Sequence, residues 1–278
     1  HNVMGTFVTP RVHLRHAFFD DKSVLRISAG AGRRIASIFA ENQKFLGSQR
    51  KLFLAQPTKP MYGLLPERAW NYGLSWIQKA TFMARPFDLI LDVYRTQFVN
   101  RVVVDWETPG AISLYNLDGK SHAQSIQLSV NTSLNARIDL RVAYKAFDIK
   151  TEYRSGLKRV PLQAENRWFA FVGYGSVLEN GKQWRADLTL HRVGKQRQVA
   201  SFTTPSNFAP GFSLLSMQLT RQFSNQFSVY AGAENLLDIK QTDAILSSDD
   251  PFGAAFDSSQ LYAPVFGRML YAGFRFNL

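Results

Sequence analysis

An all-β, transmembrane, up-and-down antiparallel barrel is the fold class this sequence predicts, and three observations predict it. Apolar and polar residues alternate with period two along much of the chain. Many of these segments extend to about ten residues, against a usual five or six for soluble strands. Short polar links then alternate with long ones, as periplasmic turns alternate with extracellular loops in an outer-membrane barrel.

The alternation runs through the chain in order. Arg11, His13 and Arg15 oppose Val12 and Leu14, and Leu25 and Ile27 oppose Arg26 and Ser28. Trp70, Tyr72, Leu74 and Trp76 oppose Asn71, Gly73 and Ser75, and Leu89, Leu91 and Val93 oppose Asp88 and Asp92. Further on, Ile126, Leu128 and Val130 oppose Gln127 and Ser129, and Leu140 and Val142 oppose Asp139 and Arg141. Trp184, Ala186, Leu188 and Leu190 oppose Arg185, Asp187 and Thr189, and Phe227, Val229 and Ala231 oppose Ser228 and Tyr230. The longest strands are expected over 87–105 and 137–152. Tight links fall at 20–23, 84–86, 133–136, 179–182 and 224–226, and long links at 35–66, 105–120, 153–165, 194–211 and 238–264.

That rhythm gives about eleven strands, an odd number, whereas single-chain bacterial barrels have even numbers. Edge strands left unpaired in lipid would cost several kcal/mol per backbone group. The expectation is therefore one part of a larger barrel, about half of the 22 strands of a plugged transporter. A single domain over 1–278 follows, with the plug domain and the N-terminal barrel strands outside it.

Composition agrees. No run approaches the roughly 18 apolar residues of a membrane-spanning helix, and mean hydropathy is −0.17. The 22 Phe, 10 Tyr and 5 Trp suit strands and aromatic girdles. The absence of cysteine excludes disulfides, thiolate-bound metal and thiol catalysis. A net charge of +12 raises nucleic acid as a partner, but the cations are scattered rather than striped, so lipopolysaccharide phosphates are the better match.

Several motifs resemble the C-terminal portion of TonB-dependent outer-membrane receptors, particularly the Bacteroidetes type. They are Gly5 to Arg11 with Leu25 to Arg33, Pro66 to Gly73, Asp92 to Thr96, Tyr115 to Ser121 and Tyr230 to Asp238, in the family's order. The terminus, with Gly273, Phe274, Phe276 and Leu278, is similar to the final strand read by the outer-membrane assembly machinery. The resemblance implies TonB-energised uptake of a scarce nutrient: a siderophore, haem, cobalamin, a glycan or a peptide. It implies as partners the remaining strands and plug, the TonB complex through that plug, outer-membrane lipid and lipopolysaccharide, and a surface lipoprotein. No cofactor is implied. A passive porin or other outer-membrane barrel is the alternative, and a secreted soluble β protein a third class.

Parity nominates a lumen face of Arg11, His13, Arg15, Arg26, Asp88, Asp92, Asp139, Arg141, Arg185, Asp187 and Glu234, since Lys or Arg facing mid-bilayer costs about 2–4 kcal/mol. Their expected role is ion pairing in the lumen. Loop residues are the ligand candidates: Arg33 and Arg34, with Lys44, Arg50 and Lys51 making the first long loop basic, then Trp106, Tyr115, Asp249, Asp250, Phe252 and Phe256. With Asp257 the last group has three carboxylates, but at irregular spacing that fits a solvated loop better than a calcium site. The histidines His1, His13, His16, His122 and His191 are too dispersed for a metal site. No nucleophile elbow, phosphate loop or acid pair appears, so no enzyme is expected.

Overall fold

The computed structural model of the chain describes residues 4–82 and 84–277. Leu278 and His1 lie outside them. Strands follow one another as β1 (Arg11–Phe18), β2 (Ser23–Arg34), β3 (Lys51–Leu54), β4 (Glu67–Phe82), β5 (Arg85–Asn100) and β6 (Val102–Asp105). Next come β7 (Ala111–Asn116), β8 (Ser121–Asn135), β9 (Ile138–Tyr153), β10 (Gly156–Arg159), β11 (Asn166–Gly175) and β12 (Gln183–Val193). The last are β13 (Gln196–Arg197), β14 (Phe208–Ala209), β15 (Phe212–Gln222), β16 (Phe227–Glu234) and β17 (Met269–Phe276).

One antiparallel sheet holds twelve strands, eleven of them in the path β1-β2-β4-β5-β8-β9-β11-β12-β15-β16-β17, with β10 folded back on β9. Each strand on the path pairs with its neighbour, the meander expected from the links. The sheet stays open, β1 and β17 being its two edges.

Residues directly opposite each other share a face, so register tests the parity across the whole wall. Leu14 opposes Ile27, Ile27 opposes Leu74, Leu74 opposes Val93, and Val93 opposes Ile126. A neighbouring row runs Val130, Val142, Ala170, Leu190, Leu215, and another runs Leu188, Met217, Ala233, Leu270. One face is thus apolar through eleven strands. In β9 the apolar positions extend from Ile138 to Ala146 before Asp148 ends them, which at ordinary rise and tilt spans about 20–25 Å, the height of a barrel's apolar band. Aromatics mark its rims, with the Tyr144 and Trp168 rings tilted against each other at 4.4 Å on the loop side and Phe223, Phe227 and Phe274 in a row near the turns.

Local chemistry sets the short ends. Asn180 and Gly181 take φ of 49° and 75°, the two left-handed positions of a type I′ hairpin, while Glu179 and Lys182 exchange backbone bonds of 3.1 and 2.8 Å. Near the C-terminus the glycines make room for tyrosines. A Cβ on Gly273 would come within 2.5 Å of Tyr230 Oη, so a tyrosine ring covers a glycine on the facing strand and tightens the pair.

Two expectations change. The strand expected over 87–105 stops at Asn100, and Val102–Asp105 leaves the wall. Buried Glu67 accepts the backbone N–H of Val102 at 3.1 Å, and Asn100 Nδ2 donates to Pro66 O at 2.9 Å, which turns the chain away from the ladder. The long links are also folded. Strand β7 pairs parallel with β3 and antiparallel with β6 as a separate small sheet. Apolar clusters lie beneath it: Ile38, Leu64, Val102 and Leu114 in one, Phe45, Trp106, Ile112 and Val199 in the other. Among the described residues the core sits in these connections, and the wall's own apolar face stays exposed.

Leu128 and Gln127 lie mid-wall on opposite faces. Leu128→Arg is expected to destabilise folding into phospholipid bilayers by about 2–4 kcal/mol and Gln127→Arg by under about 1 kcal/mol, measured by denaturant titration in liposomes. Equal costs contradict the assignment of faces.

Candidate functional site

Opposite the apolar band lies a polar face. Arg15 opposes Arg26, Arg26 opposes Ser75, Ser75 opposes Asp92, and the row continues through Gln127, Lys145 and Arg167. Register places Arg11, His13, Arg15, Arg26, Asp88, Asp92, Asp139, Arg141, Arg185, Asp187 and Glu234 on this one face. The ion pairing expected within this set does not form among the described residues. Arg15 reaches only Asp21 in the adjoining turn, at 3.2 Å and exposed. Asp139 accepts the Ser133 hydroxyl at 2.7 Å, and Arg141 lies over the Phe171 ring at 5.5 Å. Same-face residues on adjoining strands here are mostly small or neutral partners, so the charges stay open to whatever fills the concavity.

The long connections form the second candidate region, a cap held by buried ion pairs. Arg50 binds Asp257 at 2.7 Å with the two side chains 3% and 7% exposed, and its Nη1 reaches the carbonyls of Trp106, Thr108 and Ala111. Arg197 binds both oxygens of buried Glu107, and Lys158 adds a third contact at 3.0 Å. Charges so far out of water are held only by such complete pairing. Each pair joins connections far apart in sequence, the first 207 residues apart and the second 90.

These contacts redistribute the loop candidates. Trp106 is buried, edge-on to Phe45 at 5.0 Å, with Lys44 Nζ 4.2 Å from its ring centre. Tyr115 donates its hydroxyl to Asp105 at 2.7 Å and carries Arg154 over its ring. Burial and then the Asp105 carboxylate raise its pKa well above the usual phenol value. Both are framework of the cap. Two of the five cations of the basic loop are neutralised: Arg50 is engaged as above, and Arg34 binds Glu67 at 2.6 Å and Glu41 at 2.9 Å. Lys51 is exposed at the start of β3. The carboxylate group divides, with Asp257 buried while Asp249, Asp250 and Phe252 stay exposed, Phe252 at 91%. Phe256 is half-buried and its carbonyl accepts Gln49 N–H at 3.1 Å. The solvated loop expected over these residues is thus tied down at Asp257. Among the described residues no three His, Cys, Asp or Glu lie close enough to hold a metal.

Sequence reasoning passed over Glu107, Arg197 and Asp257 as partners. Glu107 in the turn after a valine run carried a local signal, but its partner did not. A cavity of about 170 Å³ opens beside them, lined by Lys44, Arg101, Trp106, Thr151 and Tyr153 among others.

Lys44 is a titrating group of the cap whose pKa is lowered. Loss of water around its ammonium, then repulsion from Arg50, lowers its pKa to about 8, with Asp257 opposing. A lysine lowered from 10.5 in the folded state leaves the unfolded chain binding more protons between pH 8 and 10.5, so folded stability rises with pH across that window. Lys44 is an exposed residue, and solvent screening keeps the effect modest. Denaturant release of the cap, followed by 19F NMR of fluorotryptophan at Trp106, is expected to shift upward from pH 8 to 10.5, and Lys44→Met to abolish the shift. An unchanged pH profile in Lys44→Met contradicts the assignment.

A family model described as TonB dependent receptor-like, beta-barrel matches residues 2–236. Among solved structures, the chain is similar to the ferric enterobactin receptor from Pseudomonas aeruginosa (13% identity, 99% of this chain and 41% of that chain, TM-score 0.69). It is also similar to the ferric-catecholate import receptor Fiu from K12 E. coli (12%, 95% and 34%, TM-score 0.64). A third similar structure is the copper transporter OprC (15%, 96% and 38%, TM-score 0.68). The chain spans well under half the length of each of these proteins. No curated protein matches it.

Proposed function

Since the chain belongs to the TonB-dependent receptor-like β-barrel family, a family of receptors and transporters, we propose that it is the C-terminal half of the barrel of a nutrient receptor, of the Bacteroidetes type, in a bacterial outer membrane. One observation supports the membrane-barrel part of this reading: in a chain of that family, a single face stays apolar through eleven paired strands while the other gathers the charges. The apolar face meets lipid. The polar face lines the lumen, where Arg26, Asp88, Asp92 and Arg185, which form no ion pair among the described residues, hydrogen-bond water or a plug. The open edges β1 and β17 pair with the remaining strands, which satisfies backbone groups that lipid cannot.

Uptake then proceeds as the lumen geometry allows. A scarce nutrient (a siderophore, haem, cobalamin, a glycan or a peptide) binds above the lumen among the connections, where Asp249, Asp250 and Phe252 are the exposed loop candidates. Movement of a plug, driven through the TonB complex, opens the path past the charged wall. This chain supplies wall, lumen lining and cap, and no step of chemistry.

The test uses cells carrying the complete receptor as their only route for the limiting nutrient, offered in turn in each of those forms. Growth on at least one is expected to require both the receptor and an intact TonB complex. Receptor-dependent growth that persists after removal of the TonB complex contradicts energised uptake and leaves a passive barrel.

A further inference from the structure

Beyond the apolar band, toward the cap, the outward face carries a polar belt. Part of its charge is internally balanced: Asp148 takes His122 at 2.9 Å, Lys150 at 3.2 Å and Arg159 at 3.5 Å, while Arg95 and Arg192 each reach a neutral side chain, Gln97 and Ser213. In one place two cations face each other. Arg33 on β2 lies directly opposite Arg68 on β4, on the face shared with Ala31 and Trp70. Like charges paired across strands destabilise a sheet unless something between them is negative. The nearby carboxylates Glu41 and Glu67 are both held by Arg34, which lies one register position beyond Arg33 and so on the other face. Arg33 rests over the Phe7 ring at 5.3 Å, and Arg68 has no ion pair among the described residues. The two line an outward hollow of about 200 Å³ with Pro10, Trp70 and Val99. A third cation, Arg95, sits on the same face opposite Tyr72, at the band's aromatic rim.

We propose that Arg33 and Arg68 form a binding site for the phosphate of a phosphorylated outer-leaflet lipid. A phosphate between two guanidiniums accepts paired N–H bonds and removes the repulsion that the register imposes. The lipid source follows from position, because the pair stands just beyond Trp70 on the face whose next rows are hydrocarbon, so acyl chains would lie along the band below. Arg33, nominated from sequence as a loop ligand for the nutrient, is thereby assigned to the membrane and not to the lumen. The inference rests on the bilayer placement proposed above.

The experiment uses the complete receptor in detergent and in nanodiscs, titrated with bisphosphorylated lipid A, with the same lipid stripped of phosphate, and with inorganic phosphate. Binding is read by native mass spectrometry. Arg33→Gln/Arg68→Gln is expected to weaken bisphosphorylated lipid A at least about tenfold and to leave the phosphate-free lipid unchanged, whereas Arg192→Gln, at another outward arginine, is expected to bind both lipids as wild type does. Should the double glutamine variant misfold, as heat-modifiable migration reports, Arg33→Lys/Arg68→Lys is read instead and is expected to bind more weakly than wild type. Wild-type affinity in the folded variants overturns the proposal. So does equal loss for the phosphate-free lipid, and so does tight, arginine-dependent binding of inorganic phosphate that displaces the lipid. Failure of the wild type to insert into nanodiscs removes the membrane reading itself, whereas insertion with unchanged lipid A binding removes this inference alone.

Discussion

Everything in the wall follows from one constraint: backbone N–H and C=O groups within hydrocarbon bond to another strand or go unpaired at a cost of several kcal/mol. Long antiparallel strands joined to their neighbours satisfy it, and the eleven-strand path is that solution. Because successive side chains leave opposite faces, the same ladder sorts residues into two populations. Val130, Val142, Ala170, Leu190 and Leu215 line up on one side without any side chain choosing the row.

Outside the band water returns and the rules change. There the chain abandons the ladder at Glu67 and Asn100 and builds an ordinary small core around Trp106, Phe45 and Ile112. Packing alone is limited in so small a unit, and Arg50–Asp257 and Arg197–Glu107 tie separate connections together. The cap is therefore specified by a few charged pairs, the wall by periodicity. Removing a pair releases a connection, whereas removing one wall residue leaves the ladder in place.

That division explains what was legible in the sequence. Parity is local, so the wall, its turns and the common face of Arg26, Asp92 and Arg141 could be read residue by residue. Strand ends could not, because Glu67 reaches Val102 across 35 positions. The consequence is sharp at Arg33 and Arg34, read together as one basic loop. Extension of β2 to Arg34 sends the two to opposite faces, one beside Trp70 and one onto Glu67. Trp106 and Tyr115 read as exposed loop aromatics for the same reason, since the partners that bury them, Phe45 and Asp105, are identified only by the fold.

The sorting of faces by a single ladder is the claim on which the membrane reading depends. Nitroxides placed singly from Ile126 to Asn131 in the complete receptor, reconstituted in bilayers, measure it through relaxation by oxygen, which favours lipid, and by a water-soluble nickel chelate. The account predicts period two, with oxygen dominant at 126, 128 and 130 and nickel dominant at 127, 129 and 131. A profile with no alternation, or with the two sets exchanged, contradicts it.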